Sequence, residues 1–315
     1  MEIREATPDD RERILALRER CFGDVDAEKR DPRFFDWEFA HAKAFVAGEN
    51  ELATHIALVP MPFNINGEKI DGAIAVDAMT SPDARGAGWF TRAVGAAIEQ
   101  TKDTFTIATA YQIRGAVLGA MLRNGWQIAA TLPVLVRPAS LLALAHLPPI
   151  GKRGGEAAKL LSKDDTPRMA AVAKAFAHGA TVDRNEQWLT WRFFENPFWK
   201  YRVTGVERNG ELVAYLVARR TTLKGFDTYA VVDLAWTDKA AARELLKDLV
   251  AEAKWCHCEL LAALVSRHHP ALPLLLARGF MPGPHRFRLL VHPMAGRIDV
   301  SNLRWSIMWA ETDHL

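Results

Sequence analysis

Gly72 to Gln100 reads GAIAVDAMTSPDARGAGWFTRAVGAAIEQ, and its reading decides the fold. Ala73 to Met79 is an apolar, β-prone run, Ser81-Pro82-Asp83 marks a turn, and Arg85-Gly86-Ala87-Gly88 is a short glycine loop. Beyond the loop, Phe90, Ala93, Val94, Ala97 and Ile98 recur at spacings of three and four, which predicts a helix with one apolar face. A strand therefore ends where a helix begins. Glycine has no Cβ, so at positions 86 and 88 the backbone can turn sharply and an anion can approach it closely. The first N–H groups of the helix have no intrahelical partner and lie at the positive end of its dipole, which makes them a seat for phosphate. The loop is not a P-loop, since no Gly-Lys-Ser or Gly-Lys-Thr follows, and Thr91 stands where a dinucleotide fingerprint requires glycine.

Upstream, Asn66-Gly67 predicts a tight hairpin joining Met61–Ile65 to Lys69–Val76, because that pair supplies the positive φ angles of such a turn. Further strands are expected at Ile3–Glu5, Ala44–Ala47 and Leu52–Val59. Thr7 and Pro8 predict the start of a helix whose apolar face is Ile14, Leu15, Leu17 and Cys21. Asp24 to Phe35 reads as irregular, with a helical turn at Trp37 and Phe39. Downstream, Thr104–Ala110 alternates as a strand, Ile113–Asn124 is helical and stops at Gly125, and Ala129–Val136 closes the series as a strand.

Arg85 to Phe90 resembles motif A of the GNAT superfamily of acyl-CoA-dependent N-acetyltransferases, whose pattern after a strand is Arg/Gln-x-x-Gly-x-Gly/Ala; Phe90 replaces the last small residue. The element order from Met1 to Pro138 is also similar to that fold, in which the sheet splays open between the strand before the loop and the next one. The hairpin, Val76-Asp77-Ala78-Met79 and Asn124-Gly125-Trp126 resemble a two-domain bacterial branch of the superfamily, some of it linked with polysaccharide biosynthesis. The resemblance implies an α/β fold of the α+β kind with a mixed sheet, and acetyl-CoA as cofactor. It places the pantetheine arm beside Ala78, Met79 and Thr80, and the pyrophosphate on the loop formed by Arg85, Gly86, Ala87, Gly88, Trp89, Phe90 and Thr91.

At 315 residues, with hydrophobic content 49% and charged content 25%, the chain has the make-up of a globular protein of two domains. Its 40 Lys and Arg against 38 Asp and Glu give no electrostatic attraction for nucleic acid or an anionic membrane. The polar, acidic start MEIREATPDD is unlike a signal peptide, no apolar run is long enough to span a membrane, and Cys21, Cys256 and Cys258 make no disulfide framework; a cytoplasmic protein is expected. Cys256-His257-Cys258 has poor spacing for zinc, and Cys256–Val265 reads as a buried strand, so no metal is expected.

Ala139 to Lys163 breaks the pattern with Leu147-Pro148-Pro149-Ile150-Gly151 and Gly154-Gly155, which predicts a linker over 139–165, with room for a helix at Ala139–His146. Domains are expected at 1–138 and 166–315. Helices are expected at Pro167–Phe176 and Trp188–Phe193. The second half repeats the first: Glu51 to Ile56 is echoed by Glu211 to Leu216, and Leu118 to Trp126 by Leu272 to Phe280. Trp37 precedes Gly125 by 88 residues, as Trp191 precedes Gly279. After Ala230–Leu234, however, Ala235-Trp236-Thr237-Asp238-Lys239-Ala240 has no glycine, and Asp238 would repel a pyrophosphate. The expectation is two GNAT-like domains in tandem, the second degenerate and without CoA of its own.

Acyl transfer from a thioester to an amine needs a neutral amine, a polarised carbonyl and a protonated leaving thiolate. Asp77, an acid inside an apolar strand, is either a general base or a structural carboxylate; His55 on the neighbouring strand is either a second base or a hydrogen-bonded structural histidine. The family's usual thiolate acid is a tyrosine at the position Met121 occupies, and methionine has no proton to give; Tyr111 is a candidate replacement or a packing residue. The acceptor implied is a primary amine on a small polar molecule, an amino sugar among them, bound in a cleft between the domains near His55, Asp77 and Tyr111. Loss of the acid keeps a second reading open, an acyl-CoA-binding module without turnover.

Overall fold

The hairpin at Asn66-Gly67 forms as its sequence requires, with φ 54° at Asn66 and 96° at Gly67. The computed structural model describes residues 2–22, 27–112, 115–140, 158–294 and 298–312. The first half runs β1 (Arg4–Glu5), α1 (Arg11–Phe22), α2 (Pro32–Phe39), β2 (Lys43–Ala47), β3 (Thr54–Ile65), β4 (Glu68–Thr80), α3 (Trp89–Thr101), β5 (Ile107–Gln112), α4 (Gly115–Arg123) and β6 (Gln127–Pro138). The second half continues with β7 (Lys159–Leu160), α5 (Thr166–Phe176), β8 (Ala180–Val182), α6 (Glu186–Phe193), β9 (Arg202–Arg208), β10 (Glu211–Leu223), β11 (Phe226–Trp236), α7 (Lys239–Trp255), β12 (Leu260–Leu264), α8 (Ala271–Ala277) and β13 (Met281–His292). The mixed α/β class expected from the sequence is the class observed.

Local differences have local causes. Pro60 does not split the strand expected as two, because β3 runs through it. Asp31 accepts from the Arg33 N–H and Pro32 opens the helix, so α2 begins inside the stretch read as irregular. Tyr111 lies within β5 rather than after it. The run expected as a strand from Cys256 is instead the end of α7, with Cys256 at its C-cap, a left-handed His257 at φ 58° and β12 beginning only at Leu260. The helix expected at Ala139–His146 falls almost wholly outside the described residues.

The residues form two compact units: 1–63, 69–130 and 288–303 in the first, and 64–68, 131–287 and 304–315 in the second. This cuts across the contiguous division at 1–138 and 166–315. In the first unit, β4 runs parallel to β5, and the far edge of β5 is paired antiparallel by Arg288–His292 of β13. In the second, β11 runs parallel to β12, and the far edge of β12 is paired antiparallel by Val134–Pro138 of β6. Each unit thus takes its last strand from the other half of the sequence.

One face of α3 (Ala93, Val94, Ala97) packs on Ile56, Leu58, Ala73 and Ala108, while α1 buries Ile14 and Leu17 against Val46, Leu52 and Met79. The core of the second unit is larger, with Leu245, Leu246 and Leu249 of α7 against Leu216, Val231, Leu261 and Leu274. Both α4 and α8 end on a glycine at φ 82°, Gly125 and Gly279, where the next residue's N–H reaches back to Met121 (3.3 Å) and Leu275 (3.1 Å). Among the described residues no helix is long and apolar enough to cross a membrane, and no cluster of His, Cys, Asp and Glu could hold a metal ion.

Candidate functional site

The glycine loop is shaped by its backbone. Gly86 (φ 82°) and Gly88 (φ 75°) are both left-handed, and a Cβ added at either would meet nothing within 4 Å, so the space beside both glycines is open. Gly88 is the N-cap of α3, and the first bond of the helix runs from the Arg92 N–H to the Gly88 carbonyl at 3.1 Å. The N–H groups of Trp89, Phe90 and Thr91 therefore stand ahead of the ladder, as an anion seat requires. Residues Arg85 to Gly88 are exposed, whereas Trp89 is buried against Ala47 and Ala53. The Arg92 guanidinium lies 3.8 Å from the Trp89 ring centroid and donates to the Ala87 carbonyl at 3.1 Å, bracing the turn. Phe90 packs against the α3 core cluster. Asn124 donates to the Thr91 (3.1 Å) and Ala120 (2.9 Å) carbonyls, so the end of α4 holds the first turn of α3.

The strand before the loop leaves its neighbour. The β4–β5 pairing register runs Gly72↔Ile107 to Ile74↔Thr109, after which β4 continues to Thr80 and β5 to Gln112. Beyond that parting lie Ala78, Met79 and Thr80 on β4 and Tyr111 on β5. Asp77 has φ 47°, a backbone state that costs a non-glycine residue free energy and is held by its surroundings. Its carbonyl accepts from His55 Nδ1 at 2.8 Å, and Thr54 Oγ1 donates to the Met79 carbonyl at 2.8 Å.

The Asp77 carboxylate is enclosed. Its side chain is 1% exposed, it accepts from the Arg18 guanidinium, and Lys29 Nζ lies 3.7 Å away. Arg18, fully buried on α1, also donates to Glu38 Oε2 (2.6 Å) and the Lys29 carbonyl (2.5 Å), and its guanidinium lies 4.8 Å from the Phe39 ring centroid. Burial pushes the Asp77 carboxyl up, but Arg18 and Lys29 outweigh it and hold the group below the usual carboxylate range. Burial pushes Glu38 up. His55 is driven by burial down to about 4, so at neutral pH it is uncharged, donating through Nδ1 while Nε2 is buried without a hydrogen-bond partner among the described residues.

The structure thus brings Asp77 and His55 into one cluster on β3 and β4. It makes neither side chain an accessible base, since a carboxylate bound to two cations has little affinity for a further proton. Tyr111 is buried, with its backbone opposite Leu289. Met121 is 3% exposed inside the α3 cluster, a packing residue. Arg18, Lys29 and Glu38 were not singled out from the sequence. The usable signal was Arg18 itself, a cation at helical spacing from Ile14 on an otherwise apolar stripe, which must find an anion in the core.

Residues 2–128 match the family model described as an acetyltransferase (GNAT) domain. The matched stretch contains the loop, the splayed strands, Asp77, His55 and Tyr111. No curated protein matches the sequence. Solved structures match over nearly the whole chain. A probable N-acyltransferase from Enterococcus faecalis V583 has TM-score 0.68 at 14% identity, covering 92% of this chain and 72% of its own. A GCN5-related N-acetyltransferase from Anabaena variabilis has TM-score 0.69 at 12% identity, with coverage 93% and 72%. Saccharomyces cerevisiae N-myristoyltransferase with bound myristoyl-CoA has TM-score 0.62 at 14% identity, with coverage 93% and 78%. At such identities the likeness is one of fold. The match to the GNAT family model over residues 2–128 supports acyl-CoA-dependent N-acyltransferase activity.

Proposed function

We propose that the protein transfers an acetyl group from acetyl-CoA to a primary amine of a small polar acceptor. The observation that carries this is the open loop at Gly86 and Gly88, set at the start of α3 and next to the strands that part after Ile74 and Thr109. The loop fits a pyrophosphate: the N–H groups of Trp89, Phe90 and Thr91 have no helical partner, and Arg85 is an exposed cation at its entrance. When bound, acetyl-CoA supplies the thioester. The main chain of Ala78, Met79 and Thr80 lies where N–H groups can polarise a carbonyl, in the part of β4 that has parted from β5.

In this reading Asp77 is a positioning residue. Its pairing with Arg18 and the His55 bond to its carbonyl hold the left-handed turn that aims the strand beyond it. The acceptor amine reaches the site neutral and loses its proton to solvent, and solvent likewise protonates the thiolate, since Met121 cannot. The test is a free-thiol release assay over amino sugars, peptide amines and polyamines. Release above hydrolysis for one class supports the reading and names the acceptor. CoA binding with no release for any amine replaces it with the binding module that Met121 suggests.

A further inference from the structure

The second unit repeats the geometry that makes a CoA cleft in the first. Parallel pairing of β11 with β12 stops at Val231↔Ala263, and β11 continues to Trp236, followed by the start of α7. In this unit both parts of the would-be site are filled by the chain itself. The anion seat at the start of α7 holds the Asp238 carboxylate, which accepts from the Ala240 N–H at 2.8 Å.

The strand position holds residues 304–311. Ser306 donates its N–H to the Ala180 carbonyl (2.8 Å), and the Ala180 N–H returns to the Arg304 carbonyl (3.0 Å). On the other side the Ser266 N–H reaches the Ile307 carbonyl (2.9 Å), Ser266 Oγ donates to the Trp305 carbonyl (2.7 Å), and Val265 bridges Met308 antiparallel. Residues 304–308 are therefore extended, bridged on one side to β8 and on the other to Val265 and Ser266 just past the end of β12, and Trp309–Glu311 follow as a 3-10 turn. Met308 is fully buried in the core with Leu234, Ala263 and Val265. Glu311 turns back to accept from the Met308 N–H (2.8 Å) and pairs with Arg184, which holds Asp233 of β11 at 3.0 Å. Asp233 also accepts from Tyr215 at 2.9 Å.

Gly179 shows that the fit is built in. It is left-handed (φ 64°), and a Cβ there would lie 2.1 Å from the Arg304 carbonyl oxygen. The backbone leading into β8 has been kept bare where the segment passes.

We infer that the second unit contains an extended-peptide groove, permanently occupied by residues 304–311 of the same chain, and that this occupant excludes acyl-CoA from the unit. The groove is bounded by β8, the end of β12 and the Arg184–Asp233 pair, with Glu311 as the charge that anchors the guest. For its contrast with the first unit the inference rests on the acyl-CoA reading given above; the occupancy itself does not.

Hydrogen exchange read by mass spectrometry on the full chain, with and without CoA, tests both separately. Peptides covering 304–312 are expected to exchange as slowly as those covering 260–265, and CoA is expected to slow residues 86–91 while leaving 228–240 and 304–312 unchanged. Gly179→Ala and Glu311→Gln are each expected to speed exchange of 304–312 at least tenfold and leave 86–91 as in the parent. Exchange of 304–312 in the parent at the rate of an exposed tail overturns the inference, as does CoA-dependent slowing at 228–240 or a stoichiometry of two. Failure of CoA to slow 86–91 overturns the cofactor reading of the first unit instead, and leaves the occupancy result standing on its own peptides.

Discussion

Replacing Gly88 separates the shape of the loop from its charge. Gly88→Asn and Gly88→Asp place nearly isosteric side chains at φ 75°, where a Cβ meets nothing within 4 Å, so both incur the same backbone penalty and no clash. That penalty is about 1 kcal/mol, because Asn and Asp tolerate the left-handed state better than other residues. Only the Asp variant adds a negative charge at the anion seat. At about 6 Å and an effective dielectric of about 40, each phosphate charge costs about 1.4 kcal/mol, so two charges weaken CoA binding about 100-fold. Calorimetric titration of the three proteins reads the affinities, and thermal melts check that the two variants have lost equal stability. The gap between Asp and Asn is also expected to narrow as salt rises, since the loop is exposed. A Gly88→Asp protein binding CoA within threefold of Gly88→Asn would refute the placement of the pyrophosphate.

Asp77→Asn is expected to lower stability by about 2–3 kcal/mol, because Arg18 and Lys29 then share a single buried carboxylate, Glu38. At a temperature where the variant is folded it should turn over more slowly while keeping the parent's pH profile; a profile whose acidic limb shifts or disappears would restore the general-base role. His55 is uncharged when folded, with its pKa at about 4 against an ordinary 6.5. Between those values the unfolded chain takes up a proton that the folded chain refuses, so stability falls as the pH drops through that window, by up to about 3 kcal/mol. His55→Gln removes that share of the slope, and denaturant melts at pH 7 and pH 4.5 on both proteins measure it; equal slopes would contradict a buried neutral imidazole. At Gly72 a Cβ would lie 2.6 Å from Phe63 Cδ2 and 3.0 Å from Ile107 Cγ1, so Gly72→Ala should destabilise by about 1–3 kcal/mol, and a melt unchanged within error would mean that this contact relaxes freely.

Local chemistry makes the loop and its helix legible in the sequence. Positive φ at Gly86 and Gly88, the hairpin at Asn66-Gly67 and the glycine stops at Gly125 and Gly279 are decided within a few residues, because only glycine and asparagine enter that backbone region cheaply. The apolar stripe of α3 is readable for the same reason, one helical turn fixing the next. Asp238 is also legible as an obstacle to phosphate, and the structure shows it capping α7.

What the sequence left open depends on partners far apart in the chain. Arg18 and Asp77 are separated by 59 residues, and Arg184 and Glu311 by 127, so the same acid in an apolar strand could be read as a base until its cation was placed beside it. The closing strands are a matching case. Two similar halves present similar strand edges, and hydrophobic pattern alone cannot say which strand pairs with which; tertiary pairing gave Arg288–His292 to β5 and Val134–Pro138 to β12. The extended segment at 304–308 carries no local signal of its own, because its conformation is fixed by bonds to Ala180 and Ser266 on either side, contacts that exist only once the chain has folded.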